Sequence, residues 1–259
     1  MKTLKKSIAL LIAFVVVIPL LLTAYACTPG DGGSDETGGN TESSSSTSDT
    51  GETSDGGSSE ARDPVEKGGS IVIIGDSLLD FWDNGEKFLG EFYNVVSNKA
   101  ILATHVYDWL ADDRNYPKIL EDNPDEVMLG IGINDIKAGN KVADGTKYLK
   151  QLIEKLLAEK PSLVIHVVSV NKNPASNFYK SKIEEWNVIM REYCEENANL
   201  HFIDNQDAFL NEDGSYNTDC FIEDKLHFSA TGYSVYEKLL DSYYYEYRKS
   251  VGESGVAAR

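Results

Sequence analysis

Apolar residues run almost unbroken from Ile8 to Ala26, lose all pattern from Thr28 to Glu66, and return after Lys67 as short blocks. The first block, Ser70-Ile71-Val72-Ile73-Ile74, is β-branched and ends at Gly75-Asp76-Ser77. Similar runs recur at Tyr93–Val96, Val127–Leu129, Leu163–Val170 and Leu200–Ile203. They do not alternate with polar residues, which marks strands buried on both faces, as in parallel sheets. Between them the period changes to that of a helix. Lys147–Ala158 puts Tyr148, Leu149, Leu152, Ile153, Leu156 and Leu157 on one stripe and is closed by Pro161. Phe178–Glu196 repeats Ile183, Trp186, Asn187, Met190 and Tyr193 at helical spacing, and Tyr233–Tyr247 makes a last, aromatic-rich helix. Strands alternating with helices predict an α/β fold, a three-layer α/β/α sandwich around a mainly parallel central sheet. Ligands of such sheets sit at the carboxyl ends of the strands.

The amino-terminal run differs in kind. Lys2, Lys5 and Lys6 precede it, so residues 1–26 read as an export signal. Its 19 apolar positions would also just cross a bilayer if they were not removed. Ala24-Tyr25-Ala26 fits ordinary signal cleavage, while Ala26-Cys27 followed by a polar tail resembles a bacterial lipoprotein in which Cys27 is the lipid-attachment residue. Lipid chains would hold such a protein at a membrane by burying methylenes. In residues 28–66, Gly, Ser and Thr supply 23 of the 39 positions, so residues 27–66 read as a disordered acidic linker. The remaining 67–259 reads as one domain, and the localisation expected is the outer face of a bacterial membrane, with secretion or an uncleaved helix as alternatives.

Charge narrows the function. The 259 residues carry 24 Lys+Arg against 42 Asp+Glu, a net −18, and the part after the linker is acidic in its own right. This balance excludes a nucleic-acid partner, which needs clustered cations to displace counterions. Three cysteines are too few for a disulfide scaffold. With Cys27 lipidated, Cys194 and Cys220 are left as an even pair that an exported domain can join. The four histidines show no metal-ligand spacing. His166 and His201 fall in strands and read as packed residues, whereas His105 is placed to border a pocket. Asn211-Glu212-Asp213-Gly214 lacks a calcium loop's donors and reads as a turn. Gly130-Ile131-Gly132 lacks the third glycine of a dinucleotide fingerprint.

Three fragments carry chemistry. Ser77 follows the first strand, where a strand-to-helix turn presents its hydroxyl and its N–H to one cavity. Gly132-Ile133-Asn134-Asp135 follows the third, and the Asn134 amide can donate to an oxyanion. Asp224-Lys225-Leu226-His227 precedes the last helix with an acid and an imidazole three residues apart, close enough for the carboxylate to fix the ring's tautomer. Asp80 and Asp83 read as acids that cap or solvate the following helix, with lining of the substrate entrance as the alternative. Phe81 and Trp82 read as core residues first and as a hydrophobic wall of the pocket second.

Together these fragments resemble the SGNH, or GDSL-type, esterases and lipases. Ile71–Ser77 looks like the first block of that family, Gly132-Ile133-Asn134-Asp135 like its GxND block, and Asp224–Tyr233 like its DGxHLSxxGY ending. The resemblance implies a flavodoxin-like SGNH hydrolase fold with Ser77 as nucleophile, His227 as base and Asp224 as orienting acid. It implies an oxyanion hole of the Ser77 N–H, the Ala100 N–H and the Asn134 amide, and ester hydrolysis without metal or cofactor. One block departs from the family. Where Asn-x-Gly-x-x-Gly is usual, this chain has Asn98-Lys99-Ala100-Ile101-Leu102-Ala103, and alanine is strained wherever such a site requires positive φ.

The expected substrate is a small-molecule or polysaccharide ester, short acyl esters on carbohydrate first, with no obligate protein partner. Two alternatives stand beside it: a catalytically weak carbohydrate-binding lipoprotein of the same fold, and a lysophospholipase-type lipid esterase.

Overall fold

The computed structural model describes residues 62–111 and 114–254. Residues 1–26, expected to be an export signal, Cys27 and most of the expected acidic linker lie outside the described residues. Among the described residues, five strands form one sheet: β1 (Gly68–Gly75), β2 (Tyr93–Asn98), β3 (Glu126–Gly130), β4 (Val164–Val168) and β5 (Leu200–Ile203). Every pairing is parallel and the order is β2-β1-β3-β4-β5. This is the flavodoxin-like order, with its topological switch between β1 and β3. The five apolar runs of the sequence are these five strands. The run Leu163–Val170 yields only Val164–Val168, because Ser169 and Val170 already belong to the loop that bonds Asn205 and Asn187.

The pleat divides the core in two. Val72, Ile74, Val127, Leu129, Ile165 and Val167 face one layer of helices, whereas Ile71, Ile73, Met128, Val168 and Ile203 face the other. On the first face lie α3 (Val106–Leu110), α4 (Tyr116–Leu120), α5 (Ile133–Lys137), α6 (Val142–Glu159) and α7 (Lys180–Glu195). On the second lie α1 (Ser77–Asp80), α2 (Gly85–Leu89) and α8 (Ala230–Glu253). This is the expected three-layer sandwich.

Three helices depart from the periodicity. α6 starts at Val142, five residues before Lys147, and includes Gly145, which packs so closely on Trp186 of α7 that a Cβ would meet the indole at 2.5 Å. Tyr148 leaves the buried stripe and is 39% exposed. The segment expected to begin a helix at Phe178 is a 3₁₀ stretch, Pro174–Tyr179, and α7 begins only at Lys180. α8 starts at Ala230 because the Ser229 hydroxyl caps it, accepting from Gly232 N–H at 3.1 Å.

Cys194 and Cys220 are separate buried thiols belonging to opposite faces of the sheet, so the structure does not join them. Burial pushes the Cys194 thiol up to about 12, which leaves it unreactive. Among the described residues no helix is long and apolar enough to cross a membrane.

Candidate active site

The site is assembled at the carboxyl ends of β1 and β3. These strands meet as Gly75 and Gly130, so close that a Cβ on Gly75 would lie 2.2 Å from the Gly130 carbonyl oxygen. Asp76 then caps α1, its Oδ1 accepting from Leu78 N–H at 3.1 Å. That cap sets Ser77 at the first position of α1, where helix geometry leaves an N–H without an intrahelical acceptor. Burial, with the Asp135 charge adding to it, pushes the Asp76 acid up to about 7.

His227 reaches this turn from before α8. Its Nε2 lies 2.8 Å from Ser77 Oγ and its Nδ1 2.5 Å from Asp224 Oδ2. The other Asp224 oxygen accepts the N–H groups of Leu226 at 2.9 Å and His227 at 3.0 Å. Such a wrap needs a sharp reversal, and Lys225 supplies it with φ of 61°. Burial raises the Asp224 acid, but the hydrogen bonds from the His227 ring and from the two N–H groups outweigh it and hold the carboxyl at about 2. Asp224 therefore stays ionised beside the imidazole at any working pH. Gly232, one turn into α8, lets the helix press on the Cys220 carbonyl oxygen, which a Cβ there would meet at 2.0 Å.

Gly132 begins α5 with φ of 136°, and a Cβ at that position would strike Trp186 at 2.6 Å. That turn brings Asn134 over the loop after β2, where its Nδ2 donates to Thr104 O at 3.0 Å. Thr104 Oγ1 donates to the carbonyl oxygens of Ile101 and Gly75 at 2.7 and 3.1 Å, and Ile101 N–H donates to Gly75 O at 3.0 Å. The loop is thus tied to the last residue of β1, two positions before Ser77.

A serine, an imidazole and a carboxylate bonded in series, beside free N–H groups at a helix start, form the arrangement that acyl transfer requires. Residues 73–235 match the sequence profile described as the GDSL-like lipase/acylhydrolase family. The chain belongs to that family. This GDSL-like acylhydrolase is a carboxylic ester hydrolase on the SGNH fold.

Among solved structures, it is similar to a lipase/acylhydrolase from Enterococcus faecalis, at 21% identity and a TM-score of 0.56 over 70% of this chain and 96% of that one. It is also similar to an acetylxylan esterase from Geobacillus stearothermophilus, at 20% identity and a TM-score of 0.54 over 68% and 94%. A GDSL-like lipase from Bacteroides thetaiotaomicron follows at 17% identity and a TM-score of 0.55 over 68% and 88%. At these identities the likeness shows the shared fold. No curated protein matches the chain.

The acylhydrolase brings Ser77, Asp224, His227 and Asn134 to one place, but it uses the Ala100 N–H elsewhere. Ala100 donates to Asn98 Oδ1 at 3.0 Å, inside its own loop. The strained alanine is Ala103, with φ of 59°, and Ala100 does not have positive φ. The Ala103 N–H makes no hydrogen bond within the described residues, and it immediately precedes the Thr104 that Asn134 grips. Asp80 is exposed, as expected of a solvated acid, but it also has a structural partner. Its Oδ2 accepts from Leu102 N–H at 3.2 Å, fixing the same loop. Trp82 is buried as expected, while Phe81 is half exposed with its ring 5.1 Å from that of His227. His105 borders a cleft as expected, with its Nδ1 3.7 Å from Asp135 Oδ2.

Proposed function

We propose that this acylhydrolase cleaves short acyl esters carried on carbohydrate, through an acyl-serine intermediate formed on Ser77. The observation that carries the mechanism is the continuous chain from Ser77 Oγ through His227 to Asp224. In the first half-reaction His227 Nε2 takes the Ser77 proton as Oγ bonds to the ester carbon. The carbonyl oxygen becomes an oxyanion that accepts from the Ser77 N–H, the Ala103 N–H and the free arm of the Asn134 amide. When the ester C–O bond breaks, His227 returns its proton to the departing alcohol oxygen. Water then repeats these steps at the acyl carbon and releases the acid and Ser77 Oγ–H. Ionised Asp224 holds the Nδ1–H tautomer throughout and stabilises the imidazolium. Ala103 replaces Ala100 as the backbone donor because the Ala100 N–H is already bonded.

Two observations support a carbohydrate ester over a lipid. The apolar cavity next to Ser77, lined by Leu78, Leu79, Ile131 and Ile133, holds only about 30 Å³, room for a short acyl group and not a long chain, and the cleft beside the oxyanion loop is lined by polar residues. The acetylxylan esterase from Geobacillus stearothermophilus shares the fold. The same reading puts the enzyme on the outer face of a bacterial membrane, held by a lipid on Cys27 and the acidic stretch that follows.

The test is hydrolysis of p-nitrophenyl acetate, butyrate and octanoate by the full chain, with Ser77→Ala beside it. Turnover is expected to fall steeply with acyl length, and Ser77→Ala to lose about 10³-fold or more in kcat. Equal turnover by both proteins would remove Ser77 from the nucleophile's role, and a preference for octanoate would replace the short-acyl reading with a lipid one.

A further inference from the structure

Beyond the oxyanion loop the surface opens into a cleft of about 390 Å³ that the chemistry above does not use. This volume falls within the ~300–1,000 Å³ typical of ligand sites. Its lining comes from α3, the end of α5 and the first turns of α6: His105, Tyr107, Asp108, Asn140, Asp144 and Tyr148, over a floor of Asp135 and Gly145. Two of its walls continue the active site. Asp135 is the residue after Asn134, and His105 follows the Thr104 whose carbonyl oxygen accepts from Asn134. The cleft therefore borders the same loop and helix that carry Thr104 and Asn134.

The lining specifies the occupant. Tyr107 and Tyr148 are 58% and 39% exposed, although they pack edge-to-face with centroids 5.8 Å apart. Two tyrosines left open in this way, on different helices, present an aromatic face with polar edges. Tyr148 stands on the core stripe by periodicity, yet α6 turns it outward to meet Tyr107. Gly145, one turn earlier, leaves the floor low because Trp186 fills the space beneath. The remaining groups are hydroxyl partners. Asn140 both donates and accepts, and Asp144 has no side-chain hydrogen bond within the described residues. Asp108 is held by His105 N–H at 2.9 Å and Arg114 at 3.3 Å, and Asp135 accepts Val106 N–H at 3.1 Å. Three carboxylates repel an anionic ligand, which disfavours phosphorylated or uronic polymers. An uncharged sugar ring fits an aromatic face ringed by hydroxyl partners and is not repelled by these walls.

We propose that this cleft is a subsite for a neutral sugar residue adjoining the esterified one, with Tyr107 and Tyr148 as its stacking platform and Asn140 and Asp144 as partners for its hydroxyls. The proposal rests on the carbohydrate-ester reading and narrows it to uncharged glycans longer than one sugar.

Binding in the absence of turnover separates the two. The full-length Ser77→Ala chain would be titrated with unacetylated xylotetraose, cellotetraose and mannotetraose and followed by calorimetry, with polygalacturonate as the anionic control. Saturable binding of at least one neutral tetrasaccharide is expected, weakened tenfold or more by Tyr107→Ala or Asp144→Ala and less by Tyr148→Phe, with no binding of polygalacturonate. Both alanine variants change exposed side chains, and melting curves would verify their folding. No saturation by any neutral tetrasaccharide at about 10 mM, or binding indifferent to Tyr107→Ala and Asp144→Ala, overturns the subsite. Preference for polygalacturonate overturns it as well. Hydrolysis of p-nitrophenyl acetate by the unsubstituted chain reports separately on the catalytic reading. Turnover without sugar binding removes the subsite alone, and sugar binding without turnover removes the esterase mechanism alone.

Discussion

Ala103 shows how much of a loop's conformation the amino-acid order leaves open. Both alanines stand where glycine is usual, and nothing in the amino-acid order says which of them takes positive φ or which N–H stays free. Those properties arise from how Asn98, Asp80 and Thr104 fold the loop onto β1. Ser77, Asp224, His227 and Asn134 were legible because their types and spacings already specify the chemistry. The strain gives a direct test. Left-handed backbone costs an L-residue ~1–2 kcal/mol, so Ala103→Gly is expected to stabilise the fold by up to about 1 kcal/mol after the added chain entropy of glycine. Ala100→Gly relieves nothing and is expected to cost about 0.5–1 kcal/mol. Urea midpoints of the two variants measure this, and the reverse order would assign the strain wrongly.

Among the elements, the strands were legible because β-branched runs buried on both faces have few other uses. The helices α1 to α5 were not, since four or five residues are too few for a period to emerge, and each is held by capping bonds and packing. The least expected feature joins four elements. Glu126, the first residue of β3, is 5% exposed and bonds His166 at 2.6 Å, Tyr93 at 2.7 Å and Arg248 of α8 at 3.2 Å. Tyr243 closes the other side of His166 at 2.6 Å. Read from the sequence, His166 is a packed residue, and so it is, but it is packed as one member of a buried polar network that fastens α8 to the sheet. Burial opposes ionisation of Glu126, yet the His166 bond and charge, Tyr93 and Arg248 hold its acid below the ordinary 4.5. Its stabilising contribution is therefore complete above that ordinary value and is lost as pH falls through the lowered one. Glu126→Gln is expected to cost about 3–5 kcal/mol at pH 7, with the gap to the unsubstituted protein closing in strong acid. Denaturant melts at pH 7 and pH 3 would read the difference, and a gap that widens in acid would reverse the sign.

At the scale of the folded domain, α8 also holds the segment that leads into β1. Arg248 Nε donates to Glu66 O at 3.1 Å, Lys67 bonds the Gly90 carbonyl oxygen, and Arg62 pairs with Asp241 while lying 5.0 Å over the Tyr245 ring. A chain beginning at Gly68 is expected to melt a few degrees below one beginning at Arg62, because buried Arg248 loses a partner; ~1 kcal/mol in a domain of this size shifts Tm by ~2–4 °C. Calorimetry of the two chains measures it, and equal melting temperatures would show that these contacts contribute nothing. The same fastening fixes a direction. β1 runs eight residues from Gly68, which at ~3.3 Å per residue spans ~26 Å, and all five strands point the same way. The chain thus enters at the floor of the molecule, while Ser77 and the tyrosine cleft open at its roof.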